Sequence, residues 1–169
     1  MKDKFVKYYL RIALLTSELS HAERLKVGAV IVKEDRVISI GYNGTPSGWD
    51  NNCELTEEIG SYPKDTPAWA REFQMTTKPE VLHAEANTIT KLAKSNESGH
   101  GSVMFCTHAP CLECSKLIYQ SGIIEFHYIG DYRCQNGTRF LEKCEVAVTK
   151  HPAIDKNPFK IEEKELARM

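Results

Sequence analysis

The sequence predicts an α/β domain, a mixed sheet covered by helices, on three observations. Two β-rich runs, Lys26–Lys33 and Arg36–Tyr42, are separated only by the polar pair Glu34-Asp35 and so form a hairpin. Later strand-like runs, Ser102–Thr107, Ile123–Ile129 and Glu145–Val148, alternate with helical segments, and strands joined through helices pair in parallel. The 169 residues, 41% hydrophobic and 27% charged, have the size and composition of one globular domain that can bury its own core.

Residues 3–19 form an amphipathic helix: Phe5, Tyr8, Tyr9, Ile12 and Leu15 recur at helical spacing, with Lys4, Lys7 and Arg11 between them. After the hairpin, Gly41–Gly48 is too rich in glycine and proline for anything but a loop. From Trp49 to about Glu80 no period is visible, and one short helix is expected near Ala68–Gln74. A segment of that length is functional or inserted. We therefore read a single domain over residues 1–150 with an insertion at about 49–80. His83–Lys94 is a helix with Ala84, Ile89, Leu92 and Ala93 for its buried face. Cys111–Gln120 is a second helix, opening just after Pro110 and ending at Gly122. Phe140–Lys143 reads as a short helical turn, and 151–169 as a C-terminal tail, either a terminal helix or disorder.

Charge and hydropathy narrow the function. Lys and Arg number 22 against 23 acids, a net charge of −1, which argues against a protein that grips nucleic-acid backbone. No apolar run approaches the ~20 residues of a membrane span. The first 20 residues, carrying Lys2, Asp3, Lys4, Lys7 and Arg11, lack the apolar core of a signal peptide. A soluble, cytoplasmic protein with no membrane or nucleic-acid partner is expected. Its cysteines are then reduced thiols, and the one close pair, Cys111 and Cys114, points to metal rather than to a disulfide. Cys106 reads as a core residue of its strand, and Cys53 as a plain thiol, with membership of a second zinc site as the alternative.

Two motifs carry chemistry. His83-Ala84-Glu85 opens one helix, and Pro110-Cys111-Leu112-Glu113-Cys114 opens the next. Cys111 and Cys114 stand about one turn apart near unpaired backbone N–H groups, which favour thiolate. Alone, such a pair is equally a redox couple, half of a four-cysteine zinc site or two packed thiols. No second Cys-x-x-Cys exists to complete a structural site, and His83 can supply a third ligand from a neighbouring helix start. Three protein ligands with the fourth position left to water is the arrangement of a catalytic zinc, where water ionises near neutral pH. Glu85 is close enough to move that water's proton without binding the metal.

On these motifs the sequence resembles the zinc-dependent cytidine/deoxycytidylate deaminase superfamily over about residues 20–133. The resemblance implies a three-layer α/β/α sandwich around a five-stranded mixed sheet. It implies zinc on His83, Cys111 and Cys114, with Glu85 shuttling protons while an amidine carbon gains water's oxygen and loses ammonia. Val27–Val32 followed by Gly41–Gly48, the helix start His83-Ala-Glu-Ala-Asn-Thr88, and Asp131-Tyr132-Arg133 are similar to the deoxycytidylate branch, which converts dCMP to dUMP for thymidylate synthesis. Ala86 and Thr88 depart from that branch's usual Leu and Ala, and Lys26 stands where Gln is common. The implied substrate contacts are Arg24, with Lys26 as a second candidate, to a 5′-phosphate, Asn43 to a sugar hydroxyl, the Ala84 backbone beside the base and Tyr132 to phosphate or base, with Arg133 adding charge. The branch also implies a homo-oligomer, a hexamer, activated by dCTP with Mg²⁺ and inhibited by dTTP. Its effector site would lie at Gly41, Tyr42, Asn43 and Gly44.

Two rival readings share these motifs. One is a tRNA adenosine deaminase or another nucleobase or nucleoside deaminase, and the near-zero net charge speaks against the RNA version. The other is a non-enzymatic module that uses zinc only to hold its fold. Such a module has no use for Glu85 beside an open coordination position.

Overall fold

Helix α1 (Asp3–Ser17) precedes the hairpin β1 (Gly28–Lys33) and β2 (Arg36–Tyr42) in a computed structural model that describes residues 1–154. A second hairpin follows, β3 (Glu54–Ile59) and β4 (Glu72–Thr77), with a single 3-10 turn at Ala68–Ala70 between its strands. The chain continues as α2 (Ala84–Leu92), β5 (Val103–His108), α3 (Leu112–Gln120), β6 (Glu125–Gly130), α4 (Asn136–Lys143) and β7 (Ala147–Lys150). The tail expected beyond residue 154 lies outside the described residues.

The first hairpin closes as its sequence requires. Glu34 and Asp35 adopt φ of 51° and 58°, the left-handed pair of a two-residue type I′ turn. Tyr9 of α1 donates its hydroxyl to the Asp35 carbonyl at 2.8 Å and ties helix to turn. Five strands form one mixed sheet in the order β2-β1-β5-β6-β7. β1 pairs antiparallel with both β2 and β5, whereas β5–β6 and β6–β7 are parallel. β5, β6 and β7 are linked through α3 and α4, as helical connections between parallel strands demand.

Alternation along β1 and β5 divides the core between two helical layers. Val30, Val32 and Phe105 meet Val6, Tyr9, Leu10 and Ala13 of α1. Ala29, Ile31, Met104 and Cys106 point the other way, onto Ala84 and Leu92 of α2, Ile118 of α3 and Leu141 of α4. This is the expected three-layer α/β/α sandwich, and Cys106 is a core residue within it.

The structure corrects the sequence reading in four places. Residues 49–80 are not patternless: they hold the second hairpin, paired from Glu54–Thr77 to Ile59–Glu72. Leu55, Ile59 and Phe73 remain 44%, 43% and 51% exposed, so no one-sided apolar stripe marks the strands. The helix expected near Ala68–Gln74 is the 3-10 turn, followed directly by β4. The turn at Phe140–Lys143 is the end of a helix that starts at Asn136, whose opening Asn136-Gly137-Thr138 is built of poor helix formers. The last strand begins at Ala147 rather than Glu145, because Glu145 sits at φ 61° in the turn after α4. Among the described residues no helix is long and apolar enough to cross a membrane.

Gly41 marks where β2 lies flat on α2. A Cβ there would stand 2.4 Å from Thr88 Oγ1 and 2.8 Å from the Ala84 carbonyl. Gly41→Ala is therefore expected to destabilise the fold by about 1–3 kcal/mol through overpacking. The change should appear as a lower denaturant midpoint with an unchanged slope.

Candidate active site

Two helix starts meet at one end of the sheet. His83 is the residue preceding the first turn of α2, and Cys111 holds the same place on α3. Both are in extended backbone conformations, and the Cys111 sulfur accepts the Cys114 N–H at 3.4 Å. A paired bridge, Gly44 N–H to the Leu82 carbonyl at 3.1 Å and Leu82 N–H to the Gly44 carbonyl at 2.9 Å, fixes the chain entering His83. The chain entering Cys111 is fixed by the Ala109 N–H on the Gly130 carbonyl at 2.8 Å and by α4. A Cβ on Gly137 would stand 2.0 Å from the Pro110 carbonyl, so only glycine lets α4 press against this loop.

His83 Nδ1 lies 3.5 Å from Cys111 Sγ and 3.4 Å from Cys114 Sγ. All three ligating atoms fall within 4.8 Å of one another. A tetrahedral zinc with bonds of about 2.3 Å to sulfur and about 2.0 Å to nitrogen sets N···S near ~3.5 Å. The donor set and its spacing fit that ion. Among the described residues this is the one cluster of three His, Cys or acidic side chains so placed. Cys53 packs instead against Ala22 and Val81, as a plain thiol does.

Electrostatics separate the roles. The Cys111 thiol is held down to about 4 by the hydrogen bond from Cys114 and then by His83. That same shared proton, together with burial, pushes Cys114 up. His83 is raised first by its contact with Cys111. Glu85, 4% exposed on the first turn of α2, is different: burial pushes its carboxyl up to about 7, with His83 opposing. A metal-ligating group is thus prepared as a thiolate, while the neighbouring carboxyl is poised to exchange a proton near neutral pH.

A cleft of about 620 Å³ opens on this cluster. Arg24, Asn43, Ala84, Tyr132 and Arg133 all line it beside His83, Glu85 and Cys111, so the structure brings together every expected substrate-contact residue except Lys26. Lys26 is exposed and lies outside the lining. Asn43 is partly committed: its Nδ2 donates to the Leu25 carbonyl at 2.9 Å, and its Oδ1 accepts the Val27 N–H at 2.8 Å. Glu54, Gln74, Thr76, Thr77 and His108 complete the walls. Sequence reasoning missed all five. His108 follows a strand and precedes Pro110, a readable position, but nothing local marks the four hairpin residues.

The four expected effector residues do not stay together. Tyr42 and Gly44 line a second cavity of about 340 Å³ with His21, Asn87 and Lys91. Asn43 faces the first cleft, and Gly41 is buried under α2.

Residues 3–129 match the family model described as the cytidine and deoxycytidylate deaminase zinc-binding region. The chain belongs to that deaminase family. It is 36% identical over 148 residues to the deoxycytidylate deaminase of Enterobacteria phage T4, spanning 73% of this chain and 76% of the phage protein. The human deoxycytidylate deaminase is 35% identical over 129 residues, spanning 74% of this chain and 64% of the human one. Among solved structures, the dCMP deaminase from the cyanophage S-TIM5 in complex with dCMP and dUMP aligns with a TM-score of 0.76 at 41% identity. That alignment covers 89% of this chain and 99% of the phage chain.

The raised carboxyl has a measurable consequence in the metal-free deaminase. Glu85 binds its proton more tightly folded than unfolded, so its contribution to stability is present below about 4.5 and is lost as pH rises to about 7. Each pKa unit is worth roughly 1.4 kcal/mol. With chelator present, Glu85→Gln should be the more stable protein in urea at pH 8, and the gap should narrow towards pH 5. A wild type more stable than the variant at pH 8 would contradict the burial of this carboxyl.

Proposed function

We propose that this deaminase is a cytoplasmic enzyme that hydrolyses dCMP to dUMP and ammonia, supplying dUMP for thymidylate synthesis. One observation carries the reading: the His83–Cys111–Cys114 triangle and the raised carboxyl of Glu85 share a single cleft with Arg24, Tyr132 and Arg133. The T4, human and S-TIM5 relatives, each a deoxycytidylate deaminase, support it.

Zinc held by His83, Cys111 and Cys114 would supply a Lewis-acid centre at which water ionises near neutral pH. Glu85 then has the proton traffic. As water's oxygen bonds to C4 of the cytosine, the carboxylate takes one proton from it and passes that proton to the base. The proton left on the C4 hydroxyl then passes through Glu85 to the amino nitrogen, the C4–N bond breaks, ammonia leaves and a C4 carbonyl remains. Asn43 keeps one amide hydrogen beyond its bond to Leu25, enough for a sugar hydroxyl, and the Ala84 backbone borders the base. Arg24 gives one donor to Thr77 at 2.8 Å and has four more for a phosphate. Tyr132 and Arg133 face the same anion.

Regulation extends the proposal: dCTP with Mg²⁺ activates and dTTP inhibits a homo-oligomer, a hexamer in this family's deoxycytidylate branch. The second cavity supports an effector role for Tyr42 and Gly44, because the Gly44–Leu82 bridge joins its wall to the residue before His83. Each effector must still bind two enzyme states with different affinity.

Ammonia release from dCMP, dCTP, deoxycytidine, CMP and a tRNA anticodon stem, with and without dCTP–Mg²⁺ and dTTP, tests the whole reading. The expected outcome is preference for dCMP; turnover confined to an RNA substrate would overturn it. Glu85→Gln should retain zinc and fold while losing about 10²–10⁴ in kcat. Arg24→Ala should raise KM for dCMP more than for deoxycytidine.

A further inference from the structure

The root of the β3–β4 hairpin grips the segment carrying Arg24 at two points. Glu54 opens β3 and is only 6% exposed. Its Oε1 accepts the backbone N–H of Glu23 at 3.2 Å and of Arg24 at 3.3 Å. Glu54 pairs across the ladder with Thr77, and Thr77 Oγ1 accepts Arg24 Nη1 at 2.8 Å. The main chain and the guanidinium of one arginine are thus held by two residues facing each other on neighbouring strands. All three line the cleft.

Two features make this more than a structural brace. A carboxylate this buried is costly unless it accepts hydrogen bonds, and here Oε1 accepts two from the loop that carries Arg24 to the cleft. Arginine also carries about 2 kcal/mol of rotamer entropy, which a free side chain loses on gripping an anion. A guanidinium already held on Thr77 loses less.

We propose that Glu54 and Thr77 are positioning residues that preset Arg24 for the phosphomonoester of the nucleotide substrate. They touch no reacting atom. The inference rests on Arg24 being a phosphate contact, as the proposed function has it. The second hairpin thereby acquires a role in selection, since β3 and β4 form the wall that makes the cleft choose a nucleotide over a nucleoside. Because the pair acts on binding and not on the proton steps at Glu85, its loss raises KM and spares kcat. Because Glu54 acts as an acceptor and not as a charge, glutamine can replace it.

The test uses the zinc-loaded full chain and its variants Glu54→Ala, Glu54→Gln, Thr77→Val and Arg24→Ala. Steady-state kinetics on dCMP are combined with calorimetric binding of dUMP and deoxyuridine. Glu54→Ala should raise KM about tenfold and Thr77→Val about threefold, each with kcat within about twofold of wild type. Glu54→Gln should stay near wild type. Binding of dUMP should weaken in step with KM while deoxyuridine binding does not move. Thr77 is exposed, so Thr77→Val carries the test if Glu54→Ala fails to fold. If both positioning variants leave the dUMP-to-deoxyuridine affinity ratio unchanged while Arg24→Ala collapses it, the positioning role is wrong and the phosphate contact stands. If Arg24→Ala leaves that ratio unchanged, the phosphate reading of Arg24 fails, and this inference with it.

Discussion

Two helix N-termini have to be held against each other, and the rest of the structure serves that constraint. Each start brings unpaired backbone N–H groups and a positive dipole end, which favour a thiolate at Cys111 and resist a second cation close by. Such an arrangement does not assemble itself. α2 is fastened to the sheet by Ser39 Oγ on the Thr88 carbonyl at 2.7 Å and by Asn87 Nδ2 on the Tyr42 carbonyl at 2.9 Å. The close seat over Gly41 completes the attachment. α3 is fastened by Ile118 in the core and by α4 pressing through Gly137. The large apolar core therefore fixes the distance between an imidazole and two sulfurs.

That fixed geometry explains why a carboxyl can sit in the same place with so different a proton affinity. At Glu85 burial outweighs the backbone N–H, His83 and Cys114 contacts that favour its charge, and Cys114 is pushed up as well, whereas at Cys111 the hydrogen bonds of Cys114 and His83 outweigh burial. Burial acts on every charge in the site, and hydrogen bonding decides which survive it. A metal-free site in which Cys111 is ionised while Cys114 and Glu85 hold their protons more tightly follows from those two rules.

Much of this is legible in the sequence, and the reason is local. Pro110 before Cys111, the paired Glu34-Asp35 turn and the apolar faces of α1 and α2 each declare their structure within one or two turns of chain. The second hairpin is not legible, because Leu55, Ile59 and Phe73 are exposed and leave the strand period without contrast. The wall built by Glu54 and Thr77 is invisible for another reason. These residues pair with each other and with Arg24 across 23 or more positions of sequence, so only the fold defines them. The motif Gly41–Gly44 reads as one site in the sequence, but at the end of a strand successive residues face opposite ways. Gly41 turns under α2 and Asn43 into the cleft, while Tyr42 and Gly44 turn to the second cavity.

Under the proposed function the molecule divides its labour. Proton chemistry and metal ligation sit on α2 and α3, whose starts are packed on the sheet and cannot shift without disturbing the core. Selection of the substrate sits on the loop at Arg24, the segment after β6 and a two-stranded ribbon, which is the kind of element that has little stability of its own. A fold can keep the first arrangement while its walls change, since the walls do not hold the core together. The contacts of Glu54 and Thr77 with Arg24 tie that ribbon to the loop at the cleft. On the proposed positioning role of Glu54 and Thr77, substrate choice rests on the hairpin root as much as on the arginine it holds.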